Sequence, residues 1–228
     1  MTAHRIPGLT LVDHTFRVPL DHQRPDGEQI SIFAREVTKP DGESADRPWL
    51  VFLQGGPGGK SPRPLGRSGW IERALQDYRV LLLDQRGTGL SSPVTARTLA
   101  WRGDAQSQAD YLKHFRADAI VRDAELIRKA LLGPDERWSI LGQSFGGFCA
   151  TTYLSLAPEG LREVFITGGL PPIFHSPDEI YRATYKRVLG KNELYFARYP
   201  DDQERAAALV AHLGSHEVRL PDGSRLSP

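Results

Sequence analysis

The chain has 228 residues, of which 39% are hydrophobic and 25% charged, with a net charge of +1. That is enough for one sizeable domain, or for one domain and the start of another. The balance excludes the basic footprint of a nucleic-acid binder and any like-charge tail, and a single cysteine, Cys149, excludes a disulfide framework or a multi-thiolate metal site.

Asp13, His14 and Arg17 interrupt the first twenty residues, so they hold no signal-peptide core, and no apolar run approaches a membrane span. A cytoplasmic location is expected. Residues 9 to 18 and 28 to 37 both alternate and flank the turn-rich 21 to 27, which predicts an antiparallel strand pair. The continuous apolar runs 49 to 53 and 80 to 83 read as strands buried on both faces, with a Pro/Gly-rich loop and a short helix near 71 to 76 between them. From 106 to 132 the apolar residues recur every three to five positions, predicting one long helix that Gly133-Pro134 stops.

Residues 137 to 148 organise the rest. Trp138, Ile140 and Leu141 fit a short buried strand, and Phe145, Phe148, Cys149, Thr152, Leu154 and Leu156 fit an apolar helix ending at Pro158. Between them Gly142-x-Ser144-x-Gly146 has the pattern of a nucleophile elbow, in which a tight strand-to-helix turn leaves no room for side chains two positions either side of the serine. Ser144 is the expected nucleophile, with the N-terminus of its helix directed at the site. Cys149, in that helix, reads as a small core residue. A sixth strand follows at 163 to 167, and strands alternating with helices predict a mostly parallel sheet with helices on both faces. Beyond 172 the chain becomes polar, with helices expected at 177 to 199 and 201 to 213 and a hairpin at 217 to 226 turning at 221 to 223.

Two loops carry further chemistry. Acyl transfer through a serine needs two N–H donors on the developing oxyanion, and Gln54-Gly55-Gly56-Pro57-Gly58-Gly59 lies where a glycine loop supplies one of them. The backbone N–H groups of Phe145 and Gly56 are the expected pair. A phosphate-binding reading of the same loop fails, because Gln54 stands where the Walker pattern needs glycine and prolines 57, 62 and 64 leave little room for a helix. After the fourth strand, the turn from Asp84 to Ser91 is expected to carry an ion pair or hydrogen-bond network in which Asp84 and Arg86 fix neighbouring loops.

Gln54-Gly-Gly-Pro-Gly58, Asp84-Gln-Arg-Gly-x-Gly-x-Ser91 and Gly142-Gln-Ser-Phe-Gly-Gly147, in that order, resemble the proline iminopeptidase (prolyl aminopeptidase) family of α/β-hydrolase serine peptidases, in its larger form. The segment Ala117-Asp-x-Ile-Val-Arg-Asp-Ala-Glu125 is similar too. The resemblance implies an α/β-hydrolase core over 1–172 and the beginning of a helical cap domain over 173–228. It further implies a cytoplasmic enzyme that removes an N-terminal residue, preferentially proline, from peptides with a free N-terminus, without a metal or organic cofactor; composition and hydropathy already speak against nucleic acid and membrane as partners. Ser144 is then the nucleophile, and Gly56 with Phe145 form the oxyanion hole. Gln54 departs from the histidine of many members, at a position that shapes the loop.

A triad also needs a histidine and an orienting carboxylate, in the chain order Ser, Asp/Glu, His. No such pair is found. His175 lies where the cap begins, His212 near a helix C-terminus and His216 at the hairpin, and the earlier His4, His14, His22 and His114 occupy strands, turns and a helix. With only six strands countable, the last strands of the sheet are expected to be missing, and the chain reads as an N-terminal portion of a longer protein. Recognition of a free amine needs carboxylates; Asp178, Glu179, Glu193, Asp201, Asp202 and Glu204 are candidates, with Glu193 preferred. Tyr181, Tyr185, Tyr195 and Tyr199 are expected to pack the cap helices onto the core rather than to wall an apolar pocket for a proline ring. Two other functions fit the same residues: an esterase or amidase on the same frame, or a catalytically incomplete binding protein. Position 144 being serine disfavours the carboxylate-nucleophile chemistry of epoxide hydrolases and dehalogenases.

Overall fold

The computed structural model describes residues 2–40, 44, 46–170, 174–221, 223 and 225–226. The chain divides into two compact units, Met1–Pro171 and Pro172–Pro228.

In the first unit the order is β1 (Thr2–Ile6), β2 (Leu9–Pro19), β3 (Gln29–Thr38), β4 (Trp49–Leu53), α1 (Gly69–Ala74), β5 (Arg79–Leu83), α2 (Ala96–Ala100), α3 (Ala105–Leu112), α4 (Ala117–Leu132), β6 (Trp138–Gln143), α5 (Phe145–Leu156), a 3-10 turn at Pro158–Gly160 and β7 (Leu161–Thr167). The strands form one sheet in the order β1-β2-β3-β5-β4-β6-β7. β1, β2, β3 and β5 pair antiparallel in turn, whereas β5, β4, β6 and β7 are mutually parallel. The two alternating stretches at the N-terminus pair as expected, with Leu11 opposite Val37 and Val18 opposite Ile30.

Side chains of the central strands divide by the period of two between two cores. Val51, Leu53, Leu81 and Leu83 face α4 and α5, joining Ile120, Ala124, Ile127, Ala150 and Tyr153. Leu50, Phe52, Val80 and Leu82 face α1, joining Ile71, Ala74 and Leu75. Burial on both faces is why 49 to 53 and 80 to 83 read as unbroken apolar runs. It also places helices on both sides of the sheet.

Two expectations need correction. The sheet has a seventh strand, β1, which a tight turn at Pro7-Gly8, with Gly8 at φ 75°, folds back onto β2. The single helix expected over 106–132 is two helices, α3 and α4. Arg86 donates from Nη1 to the His114 carbonyl at 2.7 Å, and Phe115 fills the space against Gly87, where a Cβ would lie 2.8 Å from the ring. The chain therefore turns between 113 and 116, with His114 and Phe115 donating to Tyr111 and Leu112.

Across the α4–α5 side runs a buried polar chain. Trp138 Nε1 donates to the Tyr153 hydroxyl at 3.0 Å, Tyr153 donates to Glu125 at 2.6 Å, and Arg128 grips both Glu125 oxygens at 2.8 Å. Burial alone would raise the Glu125 pKa, but the hydrogen bonds from Arg128 and Tyr153 outweigh it and hold the carboxyl below its ordinary value of 4.5. Glu36 is held down in the same way: burial is outweighed by hydrogen bonds from His14 and Arg79. A carboxyl depressed on folding stabilises above its unfolded pKa, and that contribution is lost as pH falls through the folded value. The melting temperature is therefore expected to fall steeply as pH drops below about 4.5, and Glu125→Gln to flatten that fall. A thermal melt series from about pH 6 to about pH 3 checks this; a slope unchanged in E125Q would remove Glu125 from the account.

The second unit contains α6 (Pro177–Arg198), α7 (Asp201–Ser215) and a two-stranded hairpin of β8 (Val218–Arg219) with β9 (Arg225–Leu226). Ser176 and Glu179 close a capping box at the start of α6. The expected turn of the hairpin includes Asp222, outside the described residues. Tyr181, Tyr185, Tyr195 and Tyr199 are exposed, and their rings meet one another at 6.4 Å (181 and 185) and 5.1 Å (195 and 199).

Candidate active site

Three loops converge at the carboxyl ends of β4, β5 and β6. Ser144, between β6 and α5, adopts φ 53° and ψ −117°, a region a non-glycine residue enters only when its surroundings force it there. Its N–H donates to the Thr167 carbonyl at 2.9 Å, and its carbonyl accepts from Gly147 and Phe148. The backbone is thereby held on both sides of the apex. The side chain is exposed and its hydroxyl makes no hydrogen bond among the described residues.

The glycines around the apex are required by contact. A Cβ on Gly146 would fall 1.9 Å from the Leu53 carbonyl oxygen, and one on Gly142 would fall 2.3 Å from that of Gly146. Gly169, which the sequence reading did not single out, is equally constrained: its Cβ would lie 2.4 Å from the Ser144 carbonyl oxygen. A Gly-Gly pair immediately after a strand was the available signal.

The glycine loop after β4 lies directly against the elbow. A Cβ on Gly55 would fall 2.8 Å from Ser144 Cβ and 3.5 Å from its Oγ. The Gly55 N–H is bonded to Gln54 Oε1 at 2.9 Å. Gly56 is exposed at φ 126°, and the Phe145 N–H opens α5, where the first N–H groups of a helix have no partner within it.

Asp84 and Arg86 do not pair with each other. Asp84, fully buried at the end of β5, accepts from the N–H groups of Ser61 and Leu90, both at 2.9 Å, and from the Arg63 guanidinium. It thus ties the far end of the glycine loop to the β5 turn. A Cβ on Gly89 would strike its Oδ2 at 2.0 Å. Arg86 donates to both oxygens of Asp123 and to the carbonyls of Pro19, Leu20 and His114. Asp123, on α4, was not anticipated as its partner.

The histidines of this unit are engaged elsewhere or lie apart. His14 bonds Glu36 at 3.2 Å, and His22 bonds Asp123 at 2.9 Å. In the second unit His175 faces Glu179, and His212 stacks on His216 at 4.3 Å. Glu193 lies on one face of α6 with Asp178, Tyr181, Tyr185 and Leu189, along an open groove. Burial pushes the Cys149 thiol up to about 12, which keeps it protonated and unreactive. Among the described residues no group of three or more His, Cys, Asp and Glu could hold a metal, and no helix is long and apolar enough to cross a membrane.

An exposed serine on a strained strand-to-helix apex, backed by a glycine loop on the neighbouring strand, is the arrangement that the alpha/beta hydrolase fold carries, and the sequence pattern of that family matches residues 48–225. The chain belongs to the α/β-hydrolase fold family. Among curated relatives, this α/β-hydrolase chain is 57% identical over 223 residues to a proline iminopeptidase of Aeromonas sobria, covering 97% of this chain and 52% of the relative. It is 43% identical over 215 residues to the proline iminopeptidase aneH of Aspergillus aculeatus, covering 92% and 48%. A tripeptidyl aminopeptidase of Streptomyces lividans is 25% identical over 239 residues, covering 90% and 43%. The resemblance read from the three motifs is thus borne out across the α/β-hydrolase chain, which spans about half the length of the curated relatives it matches.

Proposed function

We propose that the protein is a serine aminopeptidase that releases an N-terminal residue, preferentially proline, from peptides. The observation that carries this is the Ser144 hydroxyl, exposed and without a hydrogen bond on its strained apex. The relatives named as proline iminopeptidases support the choice of substrate.

In this reading Ser144 Oγ attacks the carbonyl carbon of the N-terminal residue and its proton passes to a base. The new O–C bond pushes charge onto the carbonyl oxygen, where the N–H groups of Phe145 and Gly56 receive it. Collapse breaks the C–N bond; the leaving amine takes the proton, and the first residue stays as an ester on Ser144. Water, deprotonated by the same base, then attacks the ester and frees the amino acid and the serine. We place the histidine base and its orienting carboxylate outside these 228 residues, because the relatives are about twice as long and the described histidines of the first unit that carry side-chain bonds serve Glu36 and Asp123. Residues 1–172 form the catalytic core, 173–228 begin a helical cap, and Glu193 contributes to holding the substrate amine. The reading includes a cytoplasmic location and no cofactor.

The test is hydrolysis by the natural full-length protein of a proline arylamide and of its N-acetylated form. The free amine is expected to raise kcat/KM by about 10²-fold or more, since a site built to bind a charged amine is left with unpaired groups when the amine is blocked. Equal turnover of both, or ester cleavage indifferent to the amine, would replace this reading with an esterase or amidase.

A further inference from the structure

The glycine loop between β4 and Ser61 has no regular structure, and two of its glycines, Gly56 and Gly58, sit at φ 126° and 97°. Backbone of that kind is free to sample many conformations, yet an oxyanion donor is effective only when it is held in place before the charge develops. Something must hold this segment between its two anchored ends. The far end is pinned by Ser61, whose N–H bonds Asp84 and whose Oγ donates to the Leu83 carbonyl at 2.5 Å. The near end is pinned by Gln85, which donates from Nε2 to the Gln54 carbonyl at 3.2 Å.

We infer that the Gln54 side chain is a positioning residue, a carboxamide staple that closes the glycine loop and determines which of its N–H groups is offered to the oxyanion. Its Oε1 accepts from the Gly55 N–H at 2.9 Å and its Nε2 donates to the Lys60 carbonyl at 3.3 Å, so one planar group joins the first and last residues of the loop. The loop folds over the side chain itself: a Cβ on Gly59 would lie 3.3 Å from Gln54 Cγ and 3.1 Å from the Gly55 carbonyl oxygen. Gly55 is the loop residue in contact with Ser144, but its N–H is consumed by the staple. The next N–H along, that of Gly56, is left as the loop's donor.

A carboxamide suits this task because it accepts and donates at once and does not titrate. Glutamate of the same shape keeps the acceptor for Gly55 but sets a second acceptor against the Lys60 carbonyl. Leucine removes both bonds. Gln54 touches neither the reacting atoms nor the substrate in this account; it acts through the backbone.

The inference rests on the acyl-transfer reading of Ser144, and the experiment separates the two. In the natural full-length protein, fluorophosphonate labelling of Ser144 tests that reading. Gln54→Glu and Gln54→Leu are then compared with the parent for kcat, KM, melting temperature and affinity for a proline boronic acid, which forms a tetrahedral adduct on the serine. The expected result is a fall in kcat of about tenfold to a hundredfold, the scale of losing or misplacing one donor, with KM within about twofold and matching loss of boronate affinity. Exchange of the Gly55 amide hydrogen, read by NMR, is expected to speed up in Q54L and to change less in Q54E, which keeps the acceptor. Unchanged kcat in folded variants, or a kcat loss with boronate affinity and Gly55 exchange both unchanged, would overturn the staple. Failure of Ser144 to label would overturn the acyl-transfer reading, and the exchange measurement would still decide whether Gln54 holds the loop.

Discussion

Replacing Ser144 by alanine in the natural full-length protein is expected to lower kcat on a proline arylamide by about 10⁴-fold or more and to abolish fluorophosphonate labelling. The melting temperature should stay within a few degrees of the parent. The reasons are separate. The hydroxyl makes no hydrogen bond among the described residues, so folding loses little with it, whereas the proposed acyl transfer runs through that oxygen. Alanine also keeps the Cβ that lies against Gly55, and with it the positive-φ strain. Glycine at the same position would release strain of about 1 to 3 kcal/mol, so Ser144→Gly should be equally inactive and melt no lower than the alanine variant. Turnover by S144A within tenfold of the parent would remove Ser144 from the mechanism.

The largest expected effect on stability is at Arg86. Its side chain is fully buried, and its five N–H groups find acceptors in Asp123 and in the carbonyls of Pro19, Leu20 and His114. One guanidinium thereby joins the end of β2, the β5 turn, the α3–α4 junction and α4. Arg86→Met would leave the buried Asp123 carboxylate with His22 alone of the two side chains that now bond it, and three carbonyls without this donor, at a cost of about 3 to 5 kcal/mol, a large part of the stability of an ordinary domain. Adding Asp123→Leu should recover part of that loss, because a buried carboxylate without its arginine is the dominant penalty. Denaturant melts of the two single variants and the double variant check this. An R86M protein as stable as the parent would show that the network is dispensable.

Much of this site was legible in the sequence because its geometry is local. Gly142 is fixed by the close passage of its strand and the helix that follows it, so the spacing there carries the information, while Gly146 is fixed by the Leu53 carbonyl of the neighbouring β4. The runs at β4 and β5 were legible for a related reason: burial on both faces removes every polar residue. Long-range partnerships were not legible. Arg86 sits two residues from Asp84, and proximity in sequence invited a common network, yet its partner is Asp123 on α4. The same arginine ends α3 by taking the His114 carbonyl, and no periodicity between 106 and 132 records a donor from so far upstream. β1 was missed because its few apolar residues make a faint alternation; Pro7-Gly8 was the stronger signal. Gln54 was read correctly as a loop residue, but the two bonds it makes depend on how the loop closes over it.

The strand order also bears on when the site can come into being. β1, β2 and β3 pair with neighbours in sequence, so that part of the sheet can assemble from contiguous chain as it emerges during synthesis. β4 is different: its second partner, β6, arrives roughly ninety residues later, across a loop closure of the costly, slow kind. The glycine loop hangs from β4 and Ser144 from β6. Ser144 and the glycine loop therefore share no address until the central strands pair, and no shorter nascent chain can present them together.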